Sequence, residues 1–154
     1  MFPCKDLVVI EKSQATFEYI WDLPYYYHQC VSSPNIPKVL SVVTKFGKTY
    51  LIMERAKWKQ MDNMSVDEVE HIPQEHFDAF VANIQELEKV WLCIDPSKRS
   101  NFFYDTDIGF SFIDLGIGMN NMSEYSLENM LLVSLLGTTS HPPENILQKI
   151  KKAI

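Results

Sequence analysis

The hydrophobic and polar positions of this chain follow two different periods, which predicts a mixture of strands and helices. Segments of strand length that are rich in apolar residues lie at 39–43, 48–53 and 110–113, and the middle one has its apolar run at 50–53. The first two are joined by a short turn that contains Gly47, so they predict a β-hairpin. The third follows a short polar turn at 105–109, which predicts a second hairpin.

Apolar residues recur at spacings of three and four in the longer segments, which predicts helices. The segment 74–91 has an apolar face formed by Phe77, Phe80, Val81, Ile84, Leu87 and Trp91. The segment 127–136 is almost wholly apolar and is followed by Gly137 as a stop signal, so this helix should be buried. Further helices are expected at 13–30 and 143–154. Together with the hairpins, these helices predict an α+β protein.

The hydrophobic content is that of a folded protein, and the net charge and the cysteine count exclude some classes of function. The chain has 154 residues, of which 46% are hydrophobic, so we expect one domain with a sizeable core. A net charge of −6 argues against a nucleic-acid binder, which needs a basic face. Three widely spaced cysteines predict a reducing compartment without a disulfide framework. No membrane-spanning run and no signal-peptide pattern is visible, so no membrane partner is expected.

Three oxygen-bearing side chains stand out in the segment CIDPSKRSNFFYDTDIGFSFIDLG, residues 93–116: Asp95, Asn101 and Asp114. Asp95 and Asn101 lie on a turn that leads into an apolar strand, and Asp114 follows the second strand of the hairpin. Carboxylate and amide oxygens are the ligands that hard divalent cations prefer. Phosphoryl transfer depends above all on positioning and on charge neutralisation. The layout therefore suits a nucleotide's phosphates and their magnesium ions.

The same segment resembles the catalytic loop and metal loop of the protein-kinase-like superfamily. Cys93-Ile94-Asp95 stands where that family has His-Arg-Asp, and Asp114-Leu115-Gly116 stands where it has Asp-Phe-Gly. Two departures are visible. Cys93 replaces the histidine, and the interval from Asp95 to Asn101 is one residue longer than the family's.

The resemblance extends upstream to the segment KTYLIMERA, Lys48 to Ala56, which looks like the last strand of the kinase N-lobe running into the hinge. It implies that Met53 is the gatekeeper at the back of the adenine pocket. It also implies that backbone groups of Glu54 and Ala56 pair with the adenine edge. Residues 33–40 resemble the segment that precedes the fourth kinase strand.

The resemblance also implies a lysine that pairs with the phosphates. Residues 8–12 resemble the strand that carries it, which favours Lys12, although the distance to the next matching segment suits Lys5. Its family partner is a glutamate on the following helix. Glu18 is the candidate for that role, with Asp22 as the alternative.

The chain is short for a kinase, because eleven residues precede Lys12 and thirty-eight follow Gly116. We therefore expect a truncated protein-kinase-like bilobal fold formed by a single minimal domain. Residues 1–55 would be a small β-hairpin N-lobe, and 56–154 a mostly helical, reduced C-lobe. In this respect the chain is similar to the minimal effector kinases secreted by enteric bacteria.

The resemblance assigns a role to each residue of the predicted site. Asp95 would be the catalytic acidic residue that orients the acceptor hydroxyl, and Lys98, three residues later, would reach the transferred phosphate. Asn101 and Asp114 would bind magnesium. Arg99 is interpreted as solvent-facing, and the histidines at 71 and 76 as surface or capping residues.

Two functions are compatible with this pattern. The first is a minimal or atypical protein kinase that transfers the γ-phosphoryl group of ATP, with Mg²⁺, to a protein serine or threonine, with or without a protein activator. The alternative is a pseudokinase-like module that binds a protein without catalysis. The expected location is the cytoplasm, or a host cytosol for a delivered effector. The oligomeric state stays open.

Overall fold

The computed structural model describes residues 7–12, 37–55, 58–89, 92–94, 98–113, 115–117 and 124–154. The chain divides into two compact units, Met1–Lys57 and Trp58–Ile154, which we call unit 1 and unit 2. None of the helices in the described residues combines the length and the apolar character needed to cross a bilayer. The predicted helix at 13–30 lies outside the described residues.

Unit 1 contains a three-stranded antiparallel sheet with the order β1-β3-β2. Its strands are β1 (Leu7–Lys12), β2 (Val39–Lys45) and β3 (Lys48–Glu54). The hairpin predicted for β2 and β3 is confirmed. Strand β2 is two residues longer at its turn end than the predicted run 39–43, because its pairing with β3 continues to Lys45↔Lys48. The connection is therefore only the two residues Phe46 and Gly47.

Unit 2 alternates short strands with helices. In chain order its elements are β4 (Lys59–Gln60), α1 (Val66–Glu70), α2 (Gln74–Lys89), β5 (Leu92–Ile94), β6 (Phe102–Asp105), β7 (Gly109–Phe112), β8 (Leu115–Ile117), α3 (Glu124–Leu136) and α4 (Glu144–Ala153). Two 3-10 turns, Met61–Asn63 and Arg99–Asn101, connect them. The strands form one sheet of order β4-β6-β7 and a separate pair, β5-β8. The elements of the two units confirm the prediction of a mixed α+β protein.

The core of unit 2 forms where α2 packs against the β6–β7 hairpin. Five residues of the predicted apolar face of α2 are buried, Phe77, Phe80, Val81, Ile84 and Leu87, and the sixth, Trp91, lies outside the described residues. The ring of Phe80 stacks on that of Phe110 with a centroid distance of 4.8 Å, and Phe77 meets the same ring edge-on at 5.5 Å. Aromatic pairs of this geometry contribute beyond the apolar area that they bury. The helix therefore holds the hairpin that follows the predicted catalytic loop.

The β6–β7 hairpin is closed by the polar turn that the sequence predicts. The Oδ1 atom of Asp105 accepts hydrogen bonds from the backbone N–H groups of Asp107 and Ile108, at 2.8 and 3.1 Å. Such side-chain bonds to the following backbone favour a turn. Phe102 is paired with Phe112, and both are completely buried.

The two C-terminal helices complete the unit. Five apolar residues of α3 are buried, as the sequence predicts: Leu127, Met130, Leu131, Leu132 and Leu135. Gly137 ends α3 in a left-handed conformation (φ 74°), and its N–H donates to the carbonyl of Val133 at 2.8 Å. This is the usual geometry of a glycine after a helix. The predicted terminal helix is confirmed as α4.

Lys149 attaches α4 to the start of α2. Its Nζ donates hydrogen bonds to the carbonyl oxygens of Glu70 and Ile72, at 2.6 and 2.7 Å. The carbonyl of Lys149 in turn accepts from the Nε2 of Gln74 at 3.0 Å. The last helix is thereby fixed to the connection between α1 and α2.

Candidate functional site

The antiparallel pair of β5 and β8 brings together the two sequence segments that lead to the predicted acids. The register pairs Cys93 with Gly116 and Ile94 with Leu115. Asp95 and Asp114 themselves lie outside the described residues. In the sequence, Asp95 is the residue after Ile94, and Asp114 is the residue before Leu115. The two strands therefore place the chain neighbours of both acids side by side.

Asn101 is the predicted site residue whose surroundings are described in most detail. It ends the 3-10 turn, and its backbone N–H donates to the carbonyl of Lys98 at 3.0 Å. Its own carbonyl accepts the N–H of Ile113 at 2.9 Å. The residue is only 6% exposed. Because Ile113 directly precedes Asp114, Asn101 is bonded to the segment that leads to Asp114.

The two cations beside Asn101 have different environments. Lys98 is exposed. Arg99 is half-buried, and its Nη2 donates to the carbonyl of Met64 at 3.3 Å. Its Cδ lies 3.0 Å from the place where a Cβ on Gly137 would be. The expectation that Arg99 faces solvent is wrong, because its stem packs against the end of α3.

Gln60 supports this turn and was not predicted from the sequence. Its Nε2 donates to the carbonyl of Ser100 at 2.7 Å. Gln60 also belongs to β4, where it pairs with Phe103 of β6. Forty positions separate Gln60 from Ser100. No local pattern in the sequence signals a contact over that separation.

In unit 1 the predicted hinge residues lie at the end of β3. Met53 is 6% exposed, whereas Glu54 is exposed. The N–H of Glu54 donates to the carbonyl of Lys38 at 2.9 Å, and the N–H of Lys38 donates to the Oε2 of Glu54 at 3.4 Å. Glu54 therefore uses its N–H within unit 1. Ala56 lies outside the described residues.

Lys12, the favoured phosphate lysine, is the last residue of β1. The register pairs Lys12 with Thr49 and Val8 with Met53. Paired residues share a face of a sheet, and so do residues two apart along a strand. Positions 12 and 53 therefore belong to the same face. Three further candidates lie outside the described residues: Lys5, Glu18 and Asp22.

His76 has a buried partner that the sequence did not indicate. Its Nδ1 lies 2.9 Å from the hydroxyl oxygen of Tyr104. Burial raises the pKa of Tyr104, and the nearby carboxylates of Asp105 and Glu75 raise it further. The interpretation of His76 as a surface residue is wrong, because it is half-buried against β6. His71 is exposed and ends α1, as expected.

No protein-family model matches this sequence, and curated proteins give no match. In the part of the chain that the structure describes, which does not include Asp95 and Asp114, no group of three or more His, Cys, Asp or Glu side chains forms a candidate metal site. The geometry around β5, β8 and Asn101 is therefore what bears on the function.

Proposed function

We propose that this chain is a reduced protein-kinase-like phosphotransferase that binds magnesium–ATP and transfers the γ-phosphoryl group to a protein serine or threonine. The observation that carries the proposal is the pairing of Ile94 with Leu115. Asp95 and Asp114 are the residues that follow and precede this pair in the sequence. Paired Cα atoms of antiparallel strands are about 4.5–5.5 Å apart, so the residues next to the two acids in the sequence lie close together.

The hydrogen bond between Asn101 and Ile113 supports the same convergence. It ties the turn that contains Lys98 and Asn101 to the residue before Asp114. Lys98 and Asn101 are thus linked by hydrogen bonds to the residue that precedes Asp114 in the sequence. Two carboxylates and an amide are hard oxygen donors, a set that suits Mg²⁺. A bound magnesium would neutralise the phosphate charge.

Unit 1 supports the proposal through its sheet. β1, which ends at Lys12, pairs directly with β3, which contains Met53 and Glu54. The kinase resemblance assigns two roles to these strands. One strand carries a lysine that pairs with the phosphates, and the other carries an apolar residue at the adenine pocket. In the proposal Lys12 pairs with the phosphates, Met53 borders the adenine, and the backbone of Glu54 and Ala56 meets the adenine edge.

The proposed roles in unit 2 follow from the chemistry of each side chain. The Asp95 carboxylate orients the acceptor hydroxyl and accepts its proton. Lys98, whose side chain is exposed, neutralises charge on the transferred group. Asn101 and Asp114 hold magnesium. Catalysis of this kind depends on positioning and electrostatics rather than on a covalent intermediate with the protein.

The test is incorporation of label from γ-labelled ATP into the chain itself and into casein, with magnesium present. The near-isosteric variants Asp95→Asn and Asp114→Asn should lower the rate by about a hundredfold or more. Asp107→Asn is the matched control, because Asp107 is an exposed acid at the tip of the β6–β7 hairpin. Equal incorporation by the wild type and the two site variants would refute the proposed mechanism.

A pseudokinase-like module that binds a protein is the second candidate. It is favoured by large apolar side chains that unit 1 exposes, among them Val9 and Phe46. Thermal denaturation with magnesium–ATP separates the two functions. A nucleotide at about a hundred times its dissociation constant should stabilise the folded chain by about 2.7 kcal/mol. A transition temperature that does not move at saturating nucleotide would favour the binding module.

A further inference from the structure

The turn between β2 and β3 carries a residue that its backbone conformation does not favour. Phe46 and Gly47 have φ angles of 55° and 71°. A two-residue hairpin turn with both angles positive is best formed by Asn-Gly. Glycine adopts this region freely, but a bulky side chain on a left-handed residue is strained. The choice of phenylalanine at position 46 is therefore not explained by the turn.

The strained backbone at Phe46 is not compensated by burial of its side chain. Phe46 is 89% exposed, and its ring meets the Nζ of Lys45 at 5.1 Å from the centroid. Aromatic residues, phenylalanine among them, are enriched in protein–protein interfaces relative to the rest of the surface. An unfavourable conformation kept at an exposed position points to a function for Phe46 outside the fold.

The strand before this turn offers both backbone and apolar contacts. Among the described residues, β2 is paired on one side only, with β3. Every second residue of such a strand turns its N–H and C=O away from its neighbour. Leu40, Val42 and Val43 on β2 are each more than a third exposed. An extended peptide can bind such an edge as an added strand.

The charges at the two ends of β2 indicate what kind of segment would bind. Lys38 directly precedes β2, Lys45 is its last residue, and both are exposed. Unit 1 has seven basic and five acidic residues, whereas unit 2 has seven basic and fifteen acidic ones. The exposed Glu54 carboxylate lies beside the backbone N–H of Lys38. Lys48, the pair partner of Lys45, adds a further positive charge at the turn. Three lysines thus meet one carboxylate, and this excess of positive charge along an apolar strand favours a ligand with carboxylates beside an apolar stretch.

A second copy of the chain is disfavoured as the occupant of this edge by the same charges. If β2 paired antiparallel with β2 of a second copy, Lys45 of one would approach Lys38 of the other, and like charges would repel. An acidic segment of another protein meets its complementary charges at this edge.

We propose that β2 and Phe46, together called the docking edge, bind an extended acidic segment of a partner protein. The segment pairs with β2 as an added strand. Its apolar side chains contact Leu40, Val42, Val43 and Phe46, and its carboxylates lie near Lys38 and Lys45. This inference concerns unit 1 alone and does not depend on the proposed phosphotransfer.

The test measures binding of the full chain to the fluorescein-labelled peptide Glu-Glu-Val-Thr-Val-Thr-Val-Glu-Glu by fluorescence anisotropy. The wild type should bind saturably, and Phe46→Asn and Lys45→Glu should each weaken binding by about tenfold or more. The same peptide with lysine in place of each glutamate should not bind. Ile108→Asn is the matched control, because Ile108 is an exposed apolar residue near the tip of the other hairpin. It should leave binding unchanged.

The variant Phe46→Asn also separates docking from a role in folding. Asparagine suits the turn better than phenylalanine, so the free energy of unfolding should stay the same or rise. A loss of stability in this variant would assign Phe46 to the fold and overturn the proposal. So would failure of the wild type to bind the peptide, or equal binding by the wild type and Phe46→Asn.

Two further measurements decide between the occupants. Sedimentation of the wild type and Phe46→Asn should show the same oligomeric state. Vesicles of phosphatidylcholine with phosphatidylserine should not bind either protein. If self-association requires Phe46, the proposal is wrong and the occupant of the docking edge is a second copy of the chain. If vesicle binding requires Phe46, the proposal is wrong and the occupant is a lipid surface.

Discussion

The carbonyl oxygen of Asn101 accepts the backbone N–H of Ile113 at 2.9 Å. This bond joins the turn after the predicted catalytic loop to the residue that precedes Asp114. It closes the base of the β6–β7 hairpin, whose strands pair Phe102 with Phe112 just inside it. The hairpin therefore brings residues 101 and 113 next to each other. Its buried aromatic rings hold the two ends together.

The first prediction concerns the magnesium dependence of the proposed phosphotransfer. Asn101→Ala removes an oxygen ligand, so the magnesium concentration for half-maximal rate should rise by about tenfold or more. Ser100→Ala is the control, because Ser100 is the adjacent residue and contributes its backbone carbonyl, not its side chain, to the contact with Gln60. Rates measured over a magnesium titration check the prediction. An unchanged titration for Asn101→Ala would remove Asn101 from the metal site.

The second prediction concerns Lys149, which fixes α4 to the connection before α2. Lys149→Met keeps the apolar stem but removes the bonds to two carbonyls. The free energy of unfolding should fall by about 3 kcal/mol or more, since each of the two hydrogen bonds from this charged donor contributes about 1.5–3 kcal/mol. The exposed Lys151 on the same helix provides the control, and Lys151→Met should change stability by less than about 0.5 kcal/mol. Urea denaturation followed by circular dichroism measures both; similar values for the two variants would contradict the structural role.

The third prediction concerns acid denaturation. A hydrogen bond from Lys59 and one from the backbone of Ser65 lower the pKa of Glu68 from 4.5 to about 2. A lowered pKa in the folded state means that this carboxylate stabilises the fold above pH 4.5, and that the contribution is lost as the pH falls toward 2. Glu68→Gln should therefore reduce the difference in stability between about pH 6 and about pH 2.

The control for this prediction is Asp62→Asn, an exposed acid in the preceding 3-10 turn. Urea denaturation over a pH series compares the slope of stability against pH for the wild type and both variants. The slope of Glu68→Gln should be shallower than that of the wild type below pH 4.5. Identical slopes for the wild type and Glu68→Gln would show that the Lys59–Glu68 pair does not form in solution.

The fourth prediction compares two glycines with nearly the same backbone angle. Gly47 (φ 71°) is surrounded by open space, whereas a Cβ on Gly137 (φ 74°) would lie 3.0 Å from the Cδ of Arg99. Alanine should destabilise the chain by about 1–2 kcal/mol at Gly47, through backbone strain alone. The loss at Gly137 should be larger, because Arg99 must also move. Equal losses in urea denaturation would show that Arg99 does not pack against the end of α3.

Local patterns in the sequence predicted several elements correctly. The face of α2 from Phe77 to Leu87 and the buried α3 were visible because helical spacing is set by neighbours three and four residues away. The β2–β3 and β6–β7 hairpins were visible because short turns join apolar runs. The exact length of β2 was not visible, since Lys45 looks like a turn residue until its partner Lys48 is known.

Short strands and one short helix were not predicted from the local patterns. β5 and β8 have three residues each and no alternation of their own. They exist as strands because they pair with each other across the β6–β7 hairpin. Helix α1 was likewise missed, although Ser65 and Glu68 form a capping box at its start. That signature was present in the sequence and could have been used.

The sequence determined the types of element, the apolar faces of the helices and the set of oxygen-bearing residues around 95–114, because these depend on residue identity and short-range spacing. Only the tertiary structure decided that β5 pairs with β8, that Asn101 bonds to Ile113, and that Phe46 stays exposed. Contacts between residues distant in the chain depend on how whole elements pack, and no local period encodes that packing.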